Sequence, residues 1–131
     1  MIGLDTNILI RYLTLDDPVQ SPRAVQIVES ELSEDDPGFV SAVVLAEVVW
    51  VLRRSYRQDR LAIVAVVEGM LRADRLRLEH SRAVAVALSA MIEDDADFAD
   101  ALIGALAIDA GCARTLTFDR RAARMAGFEL V

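Results

Sequence analysis

The chain has no lysine, one cysteine and one histidine among its 131 residues, and each scarcity removes a class of chemistry. A P-loop needs a lysine to reach the nucleotide phosphates, so none is present. The same absence counts against receiver domains and haloacid-dehalogenase-like phosphatases, whose acidic first-strand sites are served by a lysine. A lone His80 cannot supply the two imidazoles of a metal-free acid–base ribonuclease, and it is expected at the surface or a boundary. Cys112 alone makes neither a zinc-binding set nor an intrachain disulfide; it is expected as a small buried hydrophobe, and Trp50 and Tyr12 as core packing. No Gly-x-Ser-x-Gly elbow occurs, which removes the usual serine hydrolase arrangement. Long hydrophobic runs are missing too. The longest nearly uncharged stretch, 39–52, is too short to span a bilayer and contains Glu47. The opening Met1-Ile2-Gly3-Leu4-Asp5 has no basic region, apolar signal stretch or small-residue cleavage site, so a cytoplasmic protein without membrane association is expected.

What is present is a chain of 54% hydrophobic residues, enough to bury a core, with an expected organisation of one domain over 1–131. The net charge of −7 argues against non-specific binding of duplex nucleic acid through a basic face. Two divalent cations bound at carboxylates would offset more than half of that charge and make the site attractive to phosphate. All fourteen basic residues are arginine. Its planar fork suits phosphate, and the groups Arg53, Arg54, Arg57, Arg60 and Arg120, Arg121, Arg124 are the candidates for backbone contact, against the plainer reading of solvated helix faces.

Short apolar segments alternate with helical ones. Strands are expected at 2–4, 39–40, 76–78, 115–118 and 128–131. Helices are expected at 6–15, where Asp16-Asp17-Pro18 terminates the first, and at 21–32, 59–72 and 81–93. Ser41 caps a further helix running to about 56, Asp97 caps one running to about 110 that Gly111 ends, and 120–126 is a short one. Residues 33–38 form the clearest loop. Such alternation predicts an α/β fold of three layers, α/β/α, around a mainly parallel central sheet.

Four acids fall where strands and helices meet: Asp5, Glu47, Asp100 and Asp119. In open α/β sheets ligands bind beyond the carboxyl ends of strands, and Asp5 and Asp119 each follow a strand, which predicts that they share an edge. Glu47 has apolar residues three and four positions away at 43, 44, 50 and 51, so it is expected to point inward. Asp97 and Asp100 share a first helical turn, where unpaired amides favour carboxylates. Capping is the competing explanation for Asp5, Asp97 and Asp119 taken singly, with Asp100 answering Asp97 in a capping-box-like pair. A shared carboxylate cluster would bind a hard cation such as Mg2+ or Mn2+ through oxygen, with Asp5, Asp100 and Asp119 as ligands and Glu47 as ligand or base for an attacking water. Thr6, Asn7 and Thr117 are candidates for orienting those carboxylates, and Asp97 is either a fifth acid or a cap.

These segments, Ile2-Gly3-Leu4-Asp5-Thr6-Asn7, Ser41 through Glu47, Asp97-Phe98-Ala99-Asp100-Ala101 and Leu116-Thr117-Phe118-Asp119-Arg120, resemble the ordered acidic motifs of the PIN-domain family across almost the whole chain. The opening Asp-Thr-Asn and the size most closely resemble its VapC-type toxins of type II toxin-antitoxin pairs. The resemblance implies a Mg2+- or Mn2+-dependent endoribonuclease acting on RNA, usually homodimeric and held inactive by a cognate antitoxin, with DNA met only indirectly through the antitoxin. The alternative from another class is a binding module that keeps the acidic pocket but acts only by engaging a protein.

Overall fold

Parallel strand pairing and amphipathic helices make up the structure, a computed structural model describing residues Met1–Val131. The chain divides into two compact units, Met1–Glu79 and His80–Val131. In the first, β1 (Ile2–Gly3), β2 (Gly38–Val40) and β3 (Leu76–Leu78) pair in that order, all parallel, with Ile2 opposite Gly38 and Gly38 opposite Leu76. In the second, β4 (Thr115–Thr117) and β5 (Phe128–Leu130) form a parallel pair with Thr115 opposite Phe128. The pairing is therefore parallel throughout, as the alternation predicts, and it is made in two ladders.

The first unit carries α1 (Thr6–Thr14), α2 (Gln20–Gln26), which runs on into a π-helical turn over Ile27–Glu31, then α3 (Ala42–Arg54) and α4 (Arg60–Arg72). The second carries α5 (Ser81–Asp94) and α6 (Phe98–Asp109). Its expected helix at 120–126 is only a 3-10 turn, Ala122–Arg124. The first helix stops at Thr14, earlier than Pro18 alone requires, because Leu15 adopts a left-handed conformation with φ of 54° and donates its N–H to the Arg11 carbonyl at 3.2 Å.

Burial follows the helical period. On α3 the buried stripe is Ala42, Leu45, Val48, Val49 and Leu52, recurring every three or four residues. With Leu9, Ile10, Val40, Ile63 and Val67 these form the core of the first unit, each large side chain worth about 1.5–3 kcal/mol of burial. In the second unit α5 and α6 pack on each other through Val84, Ala87, Met91, Phe98, Leu102 and Ala105.

Two expected core residues lie elsewhere. Trp50 is 58% exposed because it stands opposite the buried stripe of α3, where the Arg54 guanidinium sits 5.6 Å from its ring centroid. Cys112 is exposed because it follows Gly111, whose φ of 91° turns the chain out of α6. Tyr12 is half-buried and its hydroxyl donates to Glu29 at 3.3 Å.

A polar network closes the end of α1. Asp16 accepts hydrogen bonds from the Tyr56 hydroxyl at 2.6 Å and the Thr14 hydroxyl at 2.8 Å, and Arg11 reaches Asp16 at 3.1 Å, Tyr56 at 3.2 Å and Gln20 at 2.9 Å. The Tyr56 and Thr14 hydrogen bonds, then Arg11, hold the Asp16 carboxyl below the usual aspartate range.

Two glycines make opposite demands. A Cβ on Gly38 would lie 2.6 Å from a Leu4 methyl and 2.8 Å from a Leu32 methyl, both in buried side chains. Gly69, inside α4, has nothing within 4 Å of the same position. Gly38→Ala should therefore destabilise by about 1–3 kcal/mol through overpacking, whereas Gly69→Ala should stabilise by about 0.4–1 kcal/mol by restricting the unfolded chain. Urea denaturation of the two variants checks both signs.

Candidate active site

Asp5, Asp97, Asp100 and Asp119 sit where the local fold puts a strand end or a helix start, whereas Glu47 lies within α3. Asp5 follows β1 and occupies the N-cap position of α1, yet its side chain makes no capping bond. Its carboxylate is exposed. The capping explanation therefore fails for Asp5. Thr6 behind it is buried, at 5% exposure, and Asn7 is exposed on the next position of α1. Asn7 lines a groove of about 430 Å3 between α1 and α2 together with Ile8, Arg11, Val19, Gln20 and Arg23.

Glu47 departs from expectation. It is exposed, not inward. Two of the apolar neighbours that suggested burial, Val43 and Trp50, are themselves 78% and 58% exposed. They mark the outer face of α3, opposite Leu45, Val48 and Leu52, so apolar spacing alone misidentified the buried side. No desolvation penalty attaches to Glu47 there, and burial supplies no argument for metal at this residue. What fixes α3 is its start. Ser41 Oγ accepts the Val44 N–H at 3.1 Å, and Glu79 Oε1 accepts the Ala42 N–H at 3.0 Å.

Glu79 was missed by sequence reasoning. It follows β3 as Asp5 follows β1, so the rule that ligands and acids gather beyond strand ends would have singled it out. Here it serves to anchor the helix that carries Glu47.

In the second unit the acids do interact. Asp97 caps α6, accepting the Asp100 N–H at 3.1 Å. Asp119 Oδ1 accepts the Arg121 N–H at 2.8 Å, and the Asp119 N–H donates to Thr117 Oγ1 at 3.0 Å. Thr117 thus shapes the turn that presents Asp119 through a backbone N–H and makes no bond to its carboxylate. Both Asp97 and Asp100 are half-buried. Partial burial, and then the charges of Asp97 and Asp119, raise the Asp100 carboxyl above the ordinary aspartate range, with Arg121 acting in the opposite direction. Asp97 is accordingly both a cap and an electrostatic neighbour of Asp100. A small pocket of about 110 Å3 opens beside them, lined by Asp94, Asp95, Asp97, Asp100, Arg121 and Arg124 among others.

Within neither unit do three or more acidic, His or Cys side chains gather closely enough to hold a metal ion by themselves. The donor chemistry nonetheless suits a hard cation: the chain offers carboxylate oxygens, one of them on Asp5 unused by its helix and one on Asp100 that its acidic neighbours discourage from ionising.

The raised Asp100 carboxyl makes a stability prediction. Its folded form holds a proton more firmly than the unfolded chain does, so ionised Asp100 weakens the fold at pH 7. That penalty is relieved as pH falls through the folded value toward the ordinary one near 3.9. In EDTA, wild-type melting temperature should rise as pH falls from 7 toward the ordinary aspartate range, and Asp100→Asn should melt higher than wild type at pH 7 with a flatter profile. Equal melting temperatures at pH 7 would remove the repulsion argument.

No curated protein matches the chain as a relative. The family model for the PIN domain matches residues 2–128, running through both compact units and all the acids described above. The chain therefore belongs to the PIN-domain family, with the α/β, nuclease-like fold of that family.

Proposed function

We propose that the protein is a Mg2+- or Mn2+-dependent endoribonuclease, the toxin of a type II toxin-antitoxin pair, whose catalytic residues are Asp5, Glu47, Asp100 and Asp119. The observation that carries this reading is the PIN-domain match over residues 2–128, a range that includes all four acids. Partial burial and the charges of Asp97 and Asp119 disfavour ionised Asp100, a penalty that a bound cation would relieve.

The residues divide the work by position. Asp5, Asp100 and Asp119 would hold the cation, with Glu47 as a further ligand or as the base that takes a proton from the attacking water. When bound, a divalent cation supplies a water of lowered pKa and positive charge beside the phosphoryl oxygens. Thr117 keeps the Asp119 turn in shape, and Thr6 and Asn7 flank Asp5 at the start of α1. The reaction breaks one P–O bond of the RNA backbone and places a water-derived oxygen on phosphorus. Single-stranded or looped RNA is the expected substrate, because its bases are open to recognition by side chains.

A protein partner is supported by the first unit. An open groove of about 500 Å3, lined by Tyr12, Leu13, Val28, Val66, Met70 and Leu76 among others, is mainly apolar. Val43, Trp50 and Leu61 add exposed apolar surface on α3 and α4. We assign these surfaces to a homodimer contact and an antitoxin segment, whose arginine would enter the acidic site and displace the cation. DNA would be reached only through the antitoxin, and the working location would be the cytoplasm.

Cleavage of RNA with Mg2+ or Mn2+ should be abolished by EDTA and by Asp5→Asn or Asp100→Asn, with folding retained. Those losses should exceed the roughly 10–100-fold typical of outer partners, whereas Asp97→Asn should fall within that range. Gel assays on folded variants measure this. Full activity in EDTA would sink the metal mechanism, and no cleavage by wild type under any metal condition would leave the non-catalytic binding module as the better reading.

A further inference from the structure

Phe118 has the most exposed side chain of the chain's large apolar residues, at 86%, and it stands between β4 and the Ala122–Arg124 3-10 turn. It contributes little to the core of the second unit, which packs through Val84, Met91, Phe98 and Leu102. The backbone on either side of it is nevertheless fixed. The Thr117 carbonyl accepts the Val131 N–H at 3.0 Å, and Thr117 Oγ1 accepts the Asp119 N–H at 3.0 Å. Asp119 Oδ1 accepts the Arg121 N–H at 2.8 Å, and the Asp119 carbonyl accepts the Ala123 N–H at 3.0 Å. A firmly bonded turn therefore holds the ring out into solvent, immediately before Asp119.

A single exposed apolar side chain needs no explanation by itself; the residues that share the turn with Phe118 supply one. Asp119 follows it directly, and Arg120 and Arg121 come next, all three exposed. The Arg121 guanidinium is turned to the Asp95 carbonyl at 3.0 Å, which leaves Arg120 as the cation beside the ring to meet an outside anion. We propose that Phe118 positions the RNA substrate: its ring stacks on one unpaired base while the Arg120 guanidinium meets a phosphate of the same strand, which brings the backbone to Asp119. This rests on the endoribonuclease reading above. Every base has a π-face and every nucleotide a phosphate, so an aromatic ring beside a guanidinium matches a single strand without selecting its sequence. In a duplex the bases are closed to the ring, so Phe118 favours single-stranded or looped RNA. A protein partner is the weaker match. An aromatic anchor at a protein interface works in surroundings that exclude water, whereas Phe118 stands beside Thr117, Asp119 and Arg120, with Leu116 the only large apolar side chain on β4.

The test uses the full chain, with a fluorescein-labelled single-stranded oligoribonucleotide and an abasic strand of the same length as probes. Binding is read by anisotropy in EDTA, folding by melting temperature, and cleavage in Mn2+ by KM and kcat. Phe118→Ala should melt as wild type does and bind the base-bearing strand roughly 5- to 100-fold more weakly, the range expected on losing one stacked base, with binding of the abasic strand unchanged. Phe118→Trp should restore binding. The cleavage defect of Phe118→Ala should lie mainly in KM, because stacking serves the ground state and the transition state alike. Arg120→Gln should weaken both strands equally. Equal losses on both strands for Phe118→Ala, or no loss, would overturn the proposal. So would a lowered melting temperature or failure to fold, since the ring would then be packed against protein. A homodimer that dissociates in Phe118→Ala while RNA binding is kept would assign the ring to a protein contact instead. If wild type cleaves RNA but binds no strand in EDTA, KM decides: a raised value in Phe118→Ala supports stacking and a wild-type value refutes it. Should wild type cleave RNA and Phe118→Ala match it throughout, only the stacking role is lost; should wild type neither bind nor cleave RNA, the nuclease reading is lost with it.

Discussion

The amides at the start of a helix have no partner within it, and this requirement for an acceptor shapes both units. Ser41 meets it for α3, Asp59 for α4 and Asp97 for α6, while Asp119 meets it for the 3-10 turn. An acid that caps has its side chain pinned to the backbone. It also keeps a second oxygen for other use. Asp97 and Asp119 are acids of this kind. Asp5 is the exception, since it occupies the cap position of α1 without capping. A residue type selected for capping that does not cap needs another reason for being there, and a ligand role supplies one.

Capping also explains how the second unit accommodates Asp97 and Asp119, whose charges act on Asp100. Each amide hydrogen bond, and the positive end of a helix dipole, offsets part of the negative charge. Arg121 acts in the same direction on Asp100. Asp100 is the one left with the remainder: it is half-buried, sits in the first turn beside Asp97, and feels Asp119 as well.

The fold was legible wherever a local rule decides it. The strand expected at 76–78 matches Leu76–Leu78, the helix expected at 59–72 matches Arg60–Arg72, and the helix capped by Asp97 begins at Phe98 as its cap predicts. Caps, glycine stops and apolar periods act over a few residues, and the sequence displays them directly. Division into two ladders was not legible, because pairing depends on contacts between segments far apart in the chain. Nor was the shortness of the last helical turn, where Ala122–Arg124 carries too few apolar positions to show a period.

Glu47 shows how the same kind of rule goes wrong. Apolar residues flank it at 43, 44, 50 and 51, and a rule that counts apolar neighbours three and four positions away assigns it to the buried side. Yet α3 has apolar residues nearly all round, so periodicity selects no side, and the packing of Leu45, Val48 and Leu52 decides it instead. The consequence changes the argument for this residue. An inward glutamate would have required a partner to survive desolvation; an exposed one requires none, and its claim to the site comes from the PIN-domain match and its place in the order of motifs. The apolar residues left outside with it, Val43 and Trp50, then need an explanation of their own, and an acidic residue rimmed by exposed apolar side chains is a surface suited to a partner that brings a cationic group together with apolar ones.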